Sequence, residues 1–135
     1  MTSGYSGKSL TDKLGLKIDT NLAIINAPDY YDDLIGGWPV GSSISRSLDE
    51  VFEFIHYFVT SRSQLEADLD PLISHFEKKG MLWVSWPKQA SSVSTDVTEQ
   101  TLRDVLLPTG LVDVKVAAVD ETWSALKFVW RKELR

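Results

Sequence analysis

Three stretches of continuous apolar residues, each followed by a polar turn or a proline, stand out along the chain. They are Leu22–Ile25, Phe52–Val59 and Met81–Trp86. Continuous apolarity, in place of strict alternation, is typical of parallel strands that are covered on both faces. A shorter candidate strand, Ser43–Ser45, suits the edge of the same sheet. The pattern therefore predicts a parallel sheet with layers packed on both sides.

Between these strands the apolar residues recur at helical spacing. The longest such segment is Ser61–Lys79, whose apolar face consists of Leu65, Leu69, Leu72, Ile73 and Phe76. Ser61 is suited to the N-cap and Gly80 to the C-cap, while Pro71 predicts a kink or a restart of the helix.

A second helix is predicted over Thr98–Leu107, with Asp96 and Glu99 as its capping pair. Shorter helices are predicted over Ser9–Leu14 and Pro28–Ile35. Strands and helices thus alternate over most of the chain, which is typical of an α/β protein.

The last part of the chain changes to alternation with period two. Leu111–Val119 and Trp123–Arg131 each present one apolar face and one face with charged residues. The turn Asp120–Thr122 joins them as in an antiparallel hairpin. We therefore predict a three-layer, Rossmann-like α/β sandwich whose mostly parallel sheet closes in a C-terminal antiparallel strand pair.

Length and composition favour one compact unit over residues 1–135. The chain has 135 residues, of which 43% are hydrophobic and 24% charged, and it contains no cysteine. Without cysteine there is no disulfide and no thiolate site, and the two histidines lack the spacing of metal ligands, so we predict no metal. No apolar run reaches the length of a membrane span and none resembles a signal peptide, so we expect a soluble cytoplasmic protein without membrane contact.

The charge pattern argues against nucleic acid as a partner. The formal net charge is −5, and the only basic cluster is Arg131–Arg135, which Glu133 interrupts. Nonspecific nucleic-acid binding needs a footprint that neutralises several phosphates. We therefore expect an unknown protein partner or a small anionic ligand.

The order of elements resembles a shortened class I methyltransferase core. Gly80–Pro87 is similar to the fifth strand of that family and Leu111–Arg131 to its closing hairpin. The chain also resembles a bacterial family known only as domain of unknown function three-zero-five-two, through Gly4–Gly7, Asn26–Pro28, Phe58–Thr60, Leu82–Lys88 and Val114–Lys132. That family has no assigned activity, so this resemblance implies a methyltransferase-like fold and no particular reaction.

The segment after Ile25 argues against the cofactor of the methyltransferase family. S-adenosylmethionine sites normally use a glycine-rich turn after the first strand, where the backbone approaches the cofactor closely. Here Asn26–Pro28 contains no glycine, Pro28 has no N–H, and Tyr30 and Tyr31 add bulk. The acids Asp29, Asp32 and Asp33 would likewise repel a pyrophosphate. We therefore predict no cofactor, and S-adenosylmethionine in particular is not expected.

The carboxyl ends of the parallel strands remain the best candidate for a ligand site, because doubly wound sheets bind ligands there. Three loops are expected to meet at this edge. The candidate ligand-binding residues are Asn26, Thr60, Arg62, Trp86, Lys88, Ser91 and Ser92. Lys88, Arg62 and the serine hydroxyls suit a small anion. The alternative is a solvated polar loop.

Two further residues invite a functional interpretation. His56 lies within an apolar strand, so we expect it to be buried and hydrogen-bonded, and no catalytic residue is assigned. Trp38 lies in a loop between glycine and proline. It is suited either to contact a partner or to fold back onto the core.

Taken together, these features favour a non-catalytic, methyltransferase-like module that binds a partner or a small ligand. The main alternative is an enzyme that acts at the strand ends on an anionic or nucleotide-like small molecule, including an S-adenosylmethionine-dependent enzyme. A third alternative is a subunit of a homo-oligomer.

Overall fold

The structure, a computed structural model, describes residues 9–135. Gly4–Gly7, one of the segments that carry the family resemblance, lies outside the described residues. The six strands are β1 (Asn21–Ile25), β2 (Ser43–Ser45), β3 (Phe52–Phe58), β4 (Phe76–Pro87), β5 (Leu111–Ala118) and β6 (Trp123–Trp130). The helices are α1 (Leu10–Leu14), α2 (Tyr31–Ile35), α3 (Arg62–Ser74) and α4 (Glu99–Leu106), with 3₁₀ turns at Leu107–Thr109 and Lys132–Leu134.

The strands form one mixed sheet in the order β2-β1-β3-β4-β6-β5. Strands β2, β1, β3 and β4 run parallel to one another, and β6 runs antiparallel to both β4 and β5. The order places the last strand beside β4, the central strand of the core, and leaves β5 at the edge. The predicted three-layer α/β sandwich with a closing antiparallel pair is confirmed.

Each face of the sheet has its own apolar core. On one face α3 and α4 bury Leu65, Leu72 and Leu102 against the sheet. On the other face α1 and α2 cover a cluster that includes Trp83. The Trp83 indole Nε1 donates a hydrogen bond to the Leu14 carbonyl at 2.9 Å, so it fixes the end of α1 to the centre of the sheet.

The predicted boundary between the long helix and the third apolar strand is wrong. Helix α3 ends at Ser74, and β4 already begins at Phe76. Phe76 pairs with Phe52 of β3 and stacks on Trp130, and these tertiary contacts outweigh the helical spacing. Gly80 is therefore not a C-cap and lies within β4.

Local signals at the helix ends differ in part from expectation. Helix α3 starts after the predicted Ser61 cap and continues through Pro71 to Ser74 as a single helix. The cap of α4 is Thr98, whose hydroxyl accepts from the Thr101 N–H, while the Asp96 carboxylate accepts from the N–H of Arg62. No helix within residues 9–135 is long and apolar enough to cross a membrane.

Candidate functional site

The carboxyl ends of β1 and β3 border a cavity of about 350 Å³, which we call the carboxyl-edge cavity. It is lined by Asn26, Phe58, Val59, Thr60, Gln64 and Trp123. Its volume falls within the range of about 300–1,000 Å³ that is typical of small-molecule sites. None of these six residues is charged. The cavity therefore combines aromatic surface with neutral hydrogen-bonding groups.

Asn26 turns the chain away from the sheet directly after β1. Its φ is +61°, in the left-handed region that glycine usually occupies. Asparagine tolerates this conformation better than most other residues with a side chain. Asn26 thus makes a left-handed turn that usually needs glycine, and it is one of the residues that line the cavity.

The β5–β6 turn carries the aromatic wall of the cavity. Asp120 is buried, and one of its carboxylate oxygens accepts hydrogen bonds from the N–H groups of Thr122 and Trp123 at 2.9 and 2.8 Å. Partial burial and the neighbouring Asp120 carboxylate raise the pKa of Tyr30, which comes from the loop before α2. Trp123 in turn meets Phe58 edge-to-face, with ring centroids 5.0 Å apart. Asp120 is therefore a positioning residue for Trp123.

A chain of buried polar groups lies beneath the cavity. The Tyr31 hydroxyl is 2.8 Å from Nδ1 of His56, and Nε2 of His56 is 2.7 Å from the Ser85 Oγ. Burial lowers the pKa of His56 to about 3, so the ring is neutral and one nitrogen accepts while the other donates. His56 also stacks on Phe58, at 4.3 Å between centroids. The prediction of a buried, hydrogen-bonded His56 is confirmed.

A smaller cavity of about 150 Å³ adjoins the first on the α3 face and shares Asn26 and Gln64 with it. The Tyr57 hydroxyl donates to the Asp68 carboxylate at 2.6 Å, and the Gln64 amide donates to the same carboxylate. Burial and this carboxylate raise the pKa of Tyr57. The only acidic residue among those that line either cavity is thus already hydrogen-bonded.

Only two of the seven predicted ligand-binding residues line the carboxyl-edge cavity, and these are Asn26 and Thr60. Arg62 instead forms an exposed pair with Glu66, with 3.1 Å between Nε and a carboxylate oxygen. Trp86 is buried in the core on the α3 and α4 face. As contacts to a ligand, these residues remain predictions.

Hydrogen bonds within the loop and to the β5–β6 turn hold the backbone around Lys88, the predicted anchor for an anion. The Lys88 N–H donates to the Thr122 carbonyl, while its own carbonyl accepts from the backbone and hydroxyl of Ser91. Ser92 is exposed. Burial, followed by the charge of Lys88, lowers the pKa of Lys13. The Ser91 hydroxyl donates its hydrogen bond to the Lys88 carbonyl within the loop.

Gln64, Phe58 and Trp123 carry no signal in the sequence that marks them as parts of one site. The sequence pattern predicts Phe58 as a core residue of a strand and Trp123 as the first residue of a hairpin strand. Pairing of Pro87 with Trp123 brings β6 to the carboxyl end of β4, and this adjacency follows only from the strand order. Trp38 folds back onto the core, with its ring centroid 6.2 Å from that of Tyr31.

No family model and no curated protein sequence matches this chain. Solved structures do match. A SAM-dependent methyltransferase from Aquifex aeolicus has a TM-score of 0.63 at 11% identity, covering 93% of this chain and 90% of its own. The DhpI–SAH complex has a TM-score of 0.60 at 10% identity, covering 92% and 83%. Magnesium protoporphyrin IX methyltransferase from Synechocystis PCC 6803 with bound SAH has a TM-score of 0.55 at 7% identity, covering 90% and 78%.

These similarities establish a methyltransferase-like fold, and they contradict the prediction that S-adenosylmethionine is not expected. Two of the three proteins hold SAH, the product form of that cofactor. The prediction rested on the absence of glycine after Ile25. Asn26 adopts the left-handed conformation without a glycine, and open space remains beside it, so the argument from crowding was wrong.

Proposed function

We propose that this chain is an S-adenosylmethionine-dependent methyltransferase that binds its cofactor in the carboxyl-edge cavity. The observation that carries the proposal is the cavity itself, at the end of β1 and β3 beside the left-handed turn at Asn26. Ligands of doubly wound sheets bind at this edge. The solved structures support this alternative better than a non-catalytic module.

The residues of the cavity fit the charge of the cofactor. A sulfonium is a cation, and cations are attracted to the faces of Trp and Phe rings. Phe58 and Trp123 supply such rings, and the lining contributes no lysine or arginine. Asn26, Thr60 and Gln64 supply donors and acceptors for the polar parts of the cofactor. Bound there, S-adenosylmethionine would supply an electrophilic methyl group to an acceptor.

The protein's own part in this chemistry is to hold the aromatic walls of the cavity rigid. Asp120 fixes Trp123 through two backbone hydrogen bonds, and Phe58 is held between Trp123, His56 and Tyr31. A rigid aromatic wall lowers the entropic cost of ligand binding. We add the expectation that the chain belongs to the bacterial family three-zero-five-two and that it acts on a small acceptor.

The proposal is tested by filling the cavity. Thr60 is exposed and lies at the cavity rim, so Thr60→Trp adds an indole where the cofactor would bind without removing a buried group. Ser74→Trp adds the same indole to an exposed position at the far end of α3 and is the matched control. S-adenosylhomocysteine is titrated by calorimetry, and melting is followed in parallel.

We expect the unmodified protein and Ser74→Trp to bind S-adenosylhomocysteine and Thr60→Trp to lose binding. At 100 times the dissociation constant the ligand adds about 2.7 kcal/mol of stability, which raises Tm by several degrees. Absence of binding to the unmodified protein, or equal binding by Thr60→Trp, would refute the proposal.

A further inference from the structure

A second cavity of about 350 Å³ lies at the opposite edge of the sheet, where β4 begins and β6 ends. We call it the amino-edge cavity, and it is lined by Lys78, Lys79, Gly80, Val129 and Arg135. Three of these five residues are cations and none is acidic. Doubly wound sheets bind their cofactors at the other edge, so this cavity is separate from the proposed cofactor site.

An irregularity in β4 presents the two lysines. The register between β3 and β4 passes from Phe52 opposite Phe76 to Phe54 opposite Met81, so the intervening β4 residues outnumber those on β3. Such bulges re-aim side chains and are common next to functional sites. Gly80 lies against the Glu53 carbonyl with no room for a Cβ, which fixes the path of this segment.

Trp130 holds two of the cations in place. The Lys78 ammonium lies 3.6 Å from the centroid of the Trp130 ring, and Nε of Arg135 donates to the Trp130 carbonyl at 2.8 Å. Trp130 is itself buried and stacked on Phe76, with ring centroids 5.5 Å apart. A cation that is already held in position loses less entropy when an anion binds.

The positive charge of this cavity is not neutralised by the described part of the chain. Within residues 9–135 the ion pairs are formed by Arg46, Arg62 and Arg103. Lys78, Lys79 and Arg135 take part in none of them. The charged groups of Lys78, Lys79 and Arg135 are exposed and are not used in ion pairs, so they are available to an anionic ligand.

We propose that the amino-edge cavity binds a small molecule that carries a phosphate or diphosphate group, with Lys78, Lys79 and Arg135 as its ligands. Lysine ammonium groups and the planar guanidinium fork suit phosphate oxygens. Three neighbouring cations match a multiply charged anion. The volume matches a small molecule. This inference does not rest on the proposed methyltransferase activity.

The test is calorimetric titration with inorganic pyrophosphate and, separately, with ADP, both without magnesium. We expect both probes to bind, with equal affinity if the phosphates alone are recognised and tighter ADP binding if a nucleoside contributes. The double variant Lys78→Gln/Lys79→Gln should weaken binding by about tenfold or more. Lys132→Gln removes an equally exposed cation that does not line the cavity, and it should bind as the unmodified protein does.

Two further measurements separate folding from recognition. S-adenosylhomocysteine binding by the double variant, or an unchanged Tm, shows that the fold is intact, and Arg135→Gln provides a second, independent loss of charge. The proposal is overturned if neither probe binds at millimolar concentration. It is equally overturned if Lys132→Gln loses as much affinity as the double variant.

Discussion

The two edges of the sheet carry cavities of equal volume and opposite chemistry. The carboxyl-edge cavity has aromatic rings and neutral amides in its lining, whereas the amino-edge cavity has three cations. The first suits a cationic or uncharged ligand, and the second suits an anion. The comparison teaches that volume alone says little about the ligand of a cavity, because the lining decides the sign of the charge it accepts.

The edges also differ in how far each cavity is part of the core. Phe58 is 2% exposed and belongs to the buried cluster under α1 and α2, whereas Val129 is only partly buried. A ligand at the carboxyl edge therefore contacts residues on which stability depends. At the amino edge the charged residues that would contact the ligand are exposed.

The largest expected effect is the loss of stability when an aromatic residue of the carboxyl-edge cavity is truncated. Phe58→Ala removes a fully packed ring, and we expect it to lower the free energy of unfolding by about 3–5 kcal/mol. Val129→Ala, the matched truncation at the other edge, should cost about 1–1.5 kcal/mol. Urea denaturation of both variants measures the difference. Equal losses would mean that the carboxyl-edge wall is not part of the core.

A second prediction uses pH to sharpen the comparison. His56 has a folded-state pKa of about 3 and an ordinary value of 6.5, so between these values the unfolded chain binds a proton that the folded chain does not. The contribution of the neutral His56 to the free energy of unfolding is fully present above pH 6.5. It is lost as pH falls toward 3, on the order of 1.4 kcal/mol per pH unit.

Urea denaturation between pH 7 and pH 4.5 measures this slope. His56→Gln keeps a polar group at the site but does not titrate, so it should be less stable at pH 7 and less sensitive to acid. His75→Gln, at the other histidine, should keep the slope. A slope that survives His56→Gln would assign the acid sensitivity to other groups.

The smallest expected effect concerns salt. Raising sodium chloride from about 0.05 M to about 0.5 M screens exposed charges, so pyrophosphate binding at the amino edge should weaken by about tenfold. S-adenosylhomocysteine binding at the carboxyl edge should change by less than about twofold, because that lining is uncharged. Calorimetry of both ligands in both buffers checks the contrast. A similar salt dependence at the two edges would remove the electrostatic distinction between them.

Much of the fold was predictable because the apolar runs and the alternating hairpin follow directly from burial. The error at Phe76 has a physical reason. Helical spacing extends from Leu65 to Phe76, and only the tertiary contacts of Phe76 with Phe52 and Trp130 end the helix earlier. A local pattern cannot register such contacts.

The part of the candidate site that directly follows a strand was predictable from the sequence. Asn26 and Thr60 follow β1 and β3, so their place at one edge could be inferred from the sequence. Trp123 could not be inferred, because its place depends on the insertion of β6 beside β4. The helical spacing of Ser61–Lys79 places Lys78 and Lys79 at the end of a helix, whereas in the structure they lie in β4. The sequence therefore did not predict the amino-edge cavity. The absence of a glycine after β1 does not exclude the cofactor, because Asn26 adopts the left-handed conformation that glycine usually supplies.

The position of β6 between β4 and β5 has a consequence for how the protein is made. Leu82 of β4 pairs with Phe128 of β6, so one edge of β4 stays unpaired until β6 has left the ribosome. Pairing between distant segments slows folding and leaves strand edges exposed to aggregation meanwhile. Until β6 is made, the apolar residues Leu82, Val84 and Trp86 therefore lie on an unpaired strand edge.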